Sequence, residues 1–378
     1  MHHSMTPSLQ YSRFQQIGAR RLSVGKQKNF SQLPVSVDMM DQKESINQEK
    51  VFAAIQRVET EVNRVVVGQD WLIRRLLIGL FSEIPYSFRR DGEDKTGYGH
   101  VLLEGVPGLA KTLTVMTLAS TLSAKFQRIQ FTPDLLPADI IGTRIYDRLV
   151  SSFRTEKGPI FANLILADEI NRAPQKTQSA LLEAMQERQV TIGETTYALE
   201  EPFWVLATQN PIEQEGVYTL PEAQVDRFAL KLQVDYPSHG DEAAMLSLKL
   251  SEITVNQVMA PGDVVRYRKV ISRTHVSDAL REYVVRIVRA TRNSEPTSLP
   301  VVREMILHGA SPRSAQHLLA LARTTAFFAG RDYILPADVK RIAPDALRHR
   351  LIRTVRAEAE RVSAEEIFDE LLKKVTIP

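Results

Sequence analysis

Gly105-Val106-Pro107-Gly108-Leu109-Ala110-Lys111-Thr112 follows the short apolar run Val101–Glu104 and opens a helical pattern over Leu113–Ala124. The octet is nearly G-x-x-x-x-G-K-[ST]. In that loop, glycines let successive backbone N–H groups turn inward around phosphates at the N-terminus of a helix. Lys111 is expected to lie along the β- and γ-phosphates of a nucleotide, and the Thr112 hydroxyl to hold Mg²⁺. Together with Leu113 at the helix start, residues 105–113 form the candidate nucleotide cradle. The departure from the pattern is Ala110, where glycine is asked for. A methyl is a small intrusion at the residue that begins the helix, so the loop reads as a variant.

Working outward, apolar β-prone runs recur between stretches of helical pattern: Val101–Glu104, Phe126–Phe131, Leu164–Ala167, Phe203–Ala207 and Phe228–Val234. They are continuous rather than alternating, which suits strands covered on both faces. The expected fold is therefore α/β, a five-stranded parallel sheet between helical layers, ending near Tyr236-Pro237-Ser238. Upstream, helical spacing from Ile46 to Phe81, interrupted at Val65-Val66-Val67-Gly68-Gln69, predicts helix, short strand or turn, then helix. The polar run Arg89–Lys95 predicts a surface loop. Downstream, Asp278–Arg292, Ala315–Ala329 and Ala337–Arg353 read as helices, the last begun by Pro336. The expected organisation is an N-terminal extension at 1–43, an α/β domain at 44–237 and a small all-helical domain at 238–378.

Composition excludes several classes. The chain has 378 residues, 25% charged and 43% hydrophobic, which is ordinary globular composition rather than a disordered or fibrous one. The most apolar stretch, Phe161–Ala167, is stopped by Asp168 and Glu169, well short of the roughly 18 to 20 residues a membrane helix needs. Cysteine is absent, so disulfides, thiolate catalysis and cysteine-held metals are impossible. No H-E-x-x-H or i,i+4 histidine pair exists, so a metal is expected to arrive with a substrate. Net charge is +3, but residues 1–37 hold Arg13, Arg20, Arg21, Lys26 and Lys28 without one acid. That basic, serine-rich stretch lacks the apolar core of a secretory signal. It reads as a disordered extension, with Met39 and Met40 standing where amphipathic sequence begins.

Further chemistry sits at the ends of the predicted strands. Leu164-Ile165-Leu166-Ala167-Asp168-Glu169 ends an apolar strand in two carboxylates. Ligands of parallel sheets sit at the carboxyl ends of strands, the same end as the glycine-rich loop. Asp168 can hold the Mg²⁺ shell, and Glu169 can take a proton from the water attacking the γ-phosphate. The strand Phe203–Ala207 runs into Thr208-Gln209-Asn210-Pro211, where Asn210 is the candidate to orient that water. Arg227 ends a helix just before the last strand. Arg313, in Gly309-Ala310-Ser311-Pro312-Arg313, lies in the first turn of a later helix, behind Ser311 as N-cap. Guanidinium groups stabilise the charge that phosphoryl transfer spreads over the γ-oxygens.

These stretches resemble a MoxR-type AAA+ ATPase of the helix-2-insert clade, over roughly residues 46 to 355. The resemblance rests on Gly105–Thr112, Gly158–Pro174 around Asp168-Glu169, Gln178–Val190, Ala207–Pro211, Glu215-Gly216-Val217-Tyr218 with Leu220–Phe228, and Gly309–Arg313. It implies an AAA+ P-loop domain with a helical lid, Walker A at Gly105–Thr112 and Walker B at Asp168-Glu169. It further implies sensor 1 at Asn210, an arginine finger at Arg227 that enters a neighbour's ATP site, and sensor 2 at Arg313. ATP and Mg²⁺ are the implied cofactors. The implied partners are copies of the same chain, as a hexameric ring, and client proteins, among them proteins with von Willebrand factor A domains. A cytoplasmic, chaperone-like role follows from the same resemblance. Two candidate hairpins, within Ile141–Gly158 and Gln189–Glu200, match projections that touch clients in such proteins.

The rival readings are a nucleic-acid motor of the same clade and a nucleotide-gated scaffold with little hydrolysis. Arg341, Arg348, Arg350, Arg353, Arg356 and Arg361 crowd the C-terminal helices, but Asp345, Glu358 and Glu360 are interleaved with them. The expectation is a solvated or salt-bridged face, not a nucleic-acid stripe. Glu169, Asn210 and Arg227 together argue against a scaffold, because binding alone needs none of them.

Overall fold

The computed structural model describes residues 47–378, apart from 91–92, 107, 150, 211–217, 250–251 and 294–298. The expected extension at 1–43, Pro107 of the glycine-rich loop, Pro211 and Glu215 to Val217 lie outside the described residues.

Helix α1 (Gln48–Asn63) is capped by Asn47, whose side chain accepts from the Glu49 N–H at 2.9 Å. It buries Val51, Ile55, Val58 and Val62, the apolar stripe that its sequence spacing announces. A turn, not a strand, leads through Gly68 (φ +74°) into α2 (Asp70–Phe81). The polar run expected as a loop is mostly strand: Glu83–Arg90 and Glu93–Tyr98 pair antiparallel, with Glu83 opposite Tyr98. Ile84 and Tyr98, buried at its base, anchor this ribbon to the core.

The central sheet comprises β1 (Val101–Glu104), β2 (Phe126–Gln130), β3 (Leu164–Asp168), β4 (Trp204–Gln209) and β5 (Leu230–Gln233). All five are parallel, in the order β5-β1-β4-β3-β2, as the continuous apolar runs predict. The apolar residues alternate between two cores. Val101, Leu103, Leu164, Leu166, Trp204 and Leu206 face α1, α2 and α3 (Lys111–Thr121), whereas Leu102, Ile165, Ala167, Val205 and Ala207 face the opposite layer. Because β4 lies between β1 and β3, the residues just after three strand ends meet in one row. Gln209 pairs with Glu104, and Gln130 of β2 pairs with Asp168 of β3.

Short α4 (Pro137–Ile141) leads into a hairpin, Gly142–Asp147 with Ser152–Lys157, and α5 (Gln175–Glu187) into another, Gln189–Ile192 with Thr195–Ala198. The first exposes Tyr146, Leu149 and Phe153. A single-turn helix, α6 (Glu222–Val225), precedes β5.

Beyond β5 the chain is helical: α7 (His239–Ser247), α8 (Pro261–Ile271), α9 (Asp278–Ala290), α10 (Pro300–Met305), α11 (Pro312–Phe328), α12 (Pro336–Leu347), α13 (Val355–Ala359) and α14 (Ala364–Lys374). Helix α12 stops at Leu347, short of the expected Arg353. A 3₁₀ turn, Arg348–Arg350, follows, then Ile352–Arg353, which pairs with Ile306–His308. Leu347 and Leu351 keep helical spacing through the turn, so periodicity alone conceals the stop. These helices share an apolar core with the α1–α3 face of the sheet. Arg75 of α2 and Asp345 of α12 form a buried ion pair at 2.7 Å across it. Among the described residues no helix is long and apolar enough to cross a membrane.

His100 and His317 are buried in this body, and His349 is half-buried. Burial lowers His100 to about 3, and burial followed by the Arg350 charge holds His317 and His349 well below the usual imidazole value. His100 Nδ1 accepts the Val205 N–H at 3.0 Å, a bond that protonation would break. The folded-state value is depressed, so the stability this group contributes is fully present above about 6.5 and is lost as pH falls below it. For His100 the cost is about 1.4 kcal/mol per pH unit below that value, or about 2 kcal/mol at pH 5. The expected result is a thermal unfolding midpoint lower at pH 5 than at pH 7.5. An unchanged midpoint would contradict neutral burial.

Candidate active site

At the carboxyl ends of β1, β3 and β4, a cavity of about 440 Å³ is lined by Gly105, Gly108, Lys111, Thr112, Asp168, Glu169 and Asn210, among others. The loop after β1 takes its shape from backbone demands. Gly108 has φ +89°, and a Cβ there would meet nothing within 4 Å, so the loop leaves open space where a ligand can approach the backbone. A Cβ on Gly105 would come within 2.9 Å of the Val234 carbonyl. Ala110 is left-handed (φ 52°, ψ 19°) as the N-cap of α3. The difficulty with alanine is thus backbone hand rather than methyl size, a strain of about 1 to 2 kcal/mol. Leu109 is buried and Val106 partly buried against the apolar core, which anchors the loop.

Lys111 folds back, Nζ donating to the Gly105 carbonyl at 2.5 Å. Burial lowers its ammonium below the ordinary lysine value, and the charges of Asp168 and Glu169 oppose that shift. The Asp168 carboxylate is held on both oxygens. Arg128 donates to Oδ2 through Nε at 3.0 Å and Nη2 at 2.6 Å, and the Thr208 hydroxyl donates to Oδ1 at 2.6 Å. The same Thr208 oxygen accepts the Glu169 N–H at 2.9 Å. Glu169 is left-handed (φ 56°) and makes no side-chain cap bond to the 3₁₀ turn after it. Its Oε2 accepts from Gln130 Nε2 at 2.6 Å and pairs with Arg172 at 3.3 Å. Two non-glycine residues, Ala110 and Glu169, therefore hold uncommon backbone conformations around one cavity, a placement typical of functional sites.

Lys111, Thr112, Asp168, Glu169 and Asn210 thus converge, although strand and loop separate them in sequence. Arg227, in the turn between α6 and β5, and Arg313, exposed in the first turn of α11, are not among the residues lining this cavity. Sequence reasoning missed Arg128, Gln130 and Thr208. Arg128 and Gln130 are two residues apart on the edge strand β2, on the face that meets the two carboxylates. That alternation is the signal that could have found them.

The residues fit a divalent hard cation. Asp168 already faces a cationic partner, and a carboxylate with a hydroxyl from Thr112 is the kind of oxygen set that Mg²⁺ takes together with phosphate oxygens and water. The C-terminal arginines, by contrast, are largely engaged: Arg348 with Asp345 and Glu365, Arg356 with Glu304 and Glu360, and Arg350 with Asp226.

Comparison with known proteins agrees with this geometry. Residues 100–230 match the family described as "ATPase family associated with various cellular activities (AAA)", and residues 300–371 match the AAA lid domain. The chain is 48% identical over 325 residues to Chaperone MoxR1 of Mycobacterium tuberculosis, covering 86% of this chain and 82% of that protein. It is 40% identical to the uncharacterized protein YeaC of Bacillus subtilis, over 88% of this chain and 97% of that one. A crystal structure from Cytophaga hutchinsonii superposes with a TM-score of 0.79 at 47% identity, covering 88% of this chain and 97% of the other.

Proposed function

Since the chain belongs to the MoxR family of AAA+ ATPases, we propose that it hydrolyses Mg²⁺-bound ATP in the β1–α3 cavity and uses turnover to remodel partner proteins. The observation that carries the proposal is the convergence of Lys111, Thr112, Asp168, Glu169 and Asn210 on one polar cavity.

The roles follow from chemistry. The loop amides and Lys111 bind the phosphates, and Thr112 with Asp168 would hold Mg²⁺, which neutralises charge on the β- and γ-oxygens when bound. For Asp168 to serve there, the Arg128 guanidinium must share or release it. Asn210 orients water for in-line attack on the γ-phosphorus. As the new P–O bond forms and the bond to the ADP oxygen breaks, the Glu169 carboxylate takes the water proton. Until a water competes for Oε2, Gln130 and Arg172 hold that oxygen. Arg313 adds a guanidinium from the lid, and Arg227 adds one to the site of the next subunit.

Residues 44–237 would then form the nucleotide-binding part and 238–378 the lid, with copies assembled as a ring, expected to be hexameric and cytoplasmic. The name of the M. tuberculosis relative, a chaperone, supports a client-directed role. The class of client follows from the family alone, and proteins with von Willebrand factor A domains are the ones to try first.

Replacing Lys111 tests the cavity assignment. Lys111→Ala removes a point charge from the phosphates and is expected to weaken binding of a fluorescent ATP analogue by about 10- to 100-fold, the weight of roughly 1.5 to 3 kcal/mol for a bond to a charged group. Parental affinity in Lys111→Ala would sink the assignment.

A further inference from the structure

The amides of Asp226, Arg227 and Phe228 bond back to the short helix before them, and the other side of the same peptide, its carbonyls, is gripped from the C-terminal helices. Arg350, in the 3₁₀ turn after α12, has a side chain only 2% exposed. Its Nε donates to Asp226 Oδ1 at 2.7 Å, and its Nη2 reaches the carbonyls of Asp226 at 3.1 Å and Phe228 at 2.9 Å. Nη1 donates to the Ala346 carbonyl at 2.8 Å. His349 Nε2 donates to the same Phe228 carbonyl at 3.1 Å. The residues on both sides of Arg227 are therefore bonded to one turn of the lid. Nη2 also donates to His317 Nδ1 at 2.7 Å, which fixes His317 as the neutral tautomer protonated at Nε2. His317 lies on α11 about one turn after Arg313.

A buried arginine is a costly way to fill this gap. Burial pulls the Arg350 guanidinium down to about 10, against the attraction of Asp226. Well-packed apolar side chains often replace such a pair without loss of stability. What they do not supply is direction, because a planar fork with several fixed donors holds its acceptors in one orientation. Here the acceptors are the carbonyls that flank Arg227.

We propose that Arg350 is a positioning residue for Arg227. It fixes the Asp226–Phe228 backbone against α11 and so sets where the Arg227 guanidinium stands at the neighbouring subunit's phosphates. Through His317, a shift of α11 reaches the same clamp. The inference rests on the reading of Arg227 as an arginine supplied in trans.

The test uses the full chain, with turnover at saturating ATP, affinity for a fluorescent ATP analogue and assembly by light scattering as readouts. Arg350→Lys keeps the charge but loses the fork. Turnover is expected to fall about 10- to 100-fold, the scale of a small misplacement of a catalytic group, with nucleotide affinity and assembly at parental values. Arg227→Ala/Arg350→Lys is expected to be no slower than Arg227→Ala alone. Mixed with Glu169→Gln subunits, Arg350→Lys is expected to regain turnover, because its own cavity is intact and its neighbour presents a well-placed Arg227. Parental turnover in Arg350→Lys overturns the proposal. So does a loss that Glu169→Gln subunits do not rescue while they do rescue Arg227→Ala, and in both cases the reading of Arg227 survives. Parental turnover in Arg227→Ala overturns both. Should Arg350→Lys fail to fold, Asp226→Asn is the second variant, since its side chain is 25% exposed and both carbonyl bonds remain. A rescuable loss of roughly 3- to 10-fold supports the proposal, on the scale of one hydrogen bond, and parental turnover overturns it.

Discussion

Glu169→Gln is expected to bind ATP with near-parental affinity and to hydrolyse it about 10² to 10⁴ times more slowly, the usual contribution of a general base. The glutamine has the shape of the native side chain and places no new demand on the left-handed backbone at this position (φ 56°). It also keeps a carbonyl oxygen to accept from Gln130 Nε2, and loses the half-exposed ion pair with Arg172 at 3.3 Å. It lacks the capacity to take the water proton, which matters only as the transition state forms. The loss therefore falls on turnover rather than on affinity, about 3 to 5 kcal/mol of barrier. Single-turnover phosphate release with saturating ATP measures it. Release within tenfold of the parental rate would remove Glu169 from its role.

Arg227→Ala is expected to lower turnover by about 10³-fold, the lower end of what a trans arginine contributes in nucleotide hydrolases. Its own cavity does not include Arg227 among its lining residues, so affinity for ATP is expected to stay parental. A side chain that acts on a neighbour makes activity depend on assembly. Turnover per subunit of the parental protein is accordingly expected to rise with protein concentration until rings are complete. A rate per subunit independent of concentration, across a range where light scattering detects dissociation, would contradict the arrangement.

The parts of this molecule that were legible in its sequence are those whose physics is local. The three central strands declared themselves because Val101–Glu104, Leu164–Asp168 and Trp204–Gln209 are buried on both faces, which demands unbroken apolar runs, whereas the edge strands β2 and β5 mix buried with more exposed residues. The phosphate loop was legible because its glycines, lysine and threonine are contiguous. The paired strands Glu83–Arg90 and Glu93–Tyr98 were not, since the sequence Arg89-Arg90-Asp91-Gly92-Glu93 carries no apolar alternation, and the ribbon is held through Ile84, Tyr98 and the distant Arg268. Arg128 and Thr208 act through Asp168, each 40 residues away in sequence, so no spacing rule reaches them. Arg350 stood in a run of arginines that reads as a solvated face. Its neighbours Arg348 and Arg356 do make ion pairs there, but the 3₁₀ turn swings Arg350 inward to Asp226, 124 residues earlier in the chain. A helix that ends at Leu347, sooner than its periodicity suggests, thus separates a surface charge from a buried clamp.

The account stands or falls on sites shared between subunits, and a mixture tests that most directly. Arg227→Ala subunits keep Glu169, and Glu169→Gln subunits keep Arg227, so each variant alone lacks one half of every site. After subunit exchange has been demonstrated, steady-state ATP turnover of the equimolar mixture is measured against the two proteins alone. The account predicts activity well above their sum, arising where an intact Glu169 meets an intact Arg227 from the next subunit. Activity equal to the sum of the two inactive proteins would contradict it, and would place Arg227 at its own subunit's nucleotide or outside the reaction altogether.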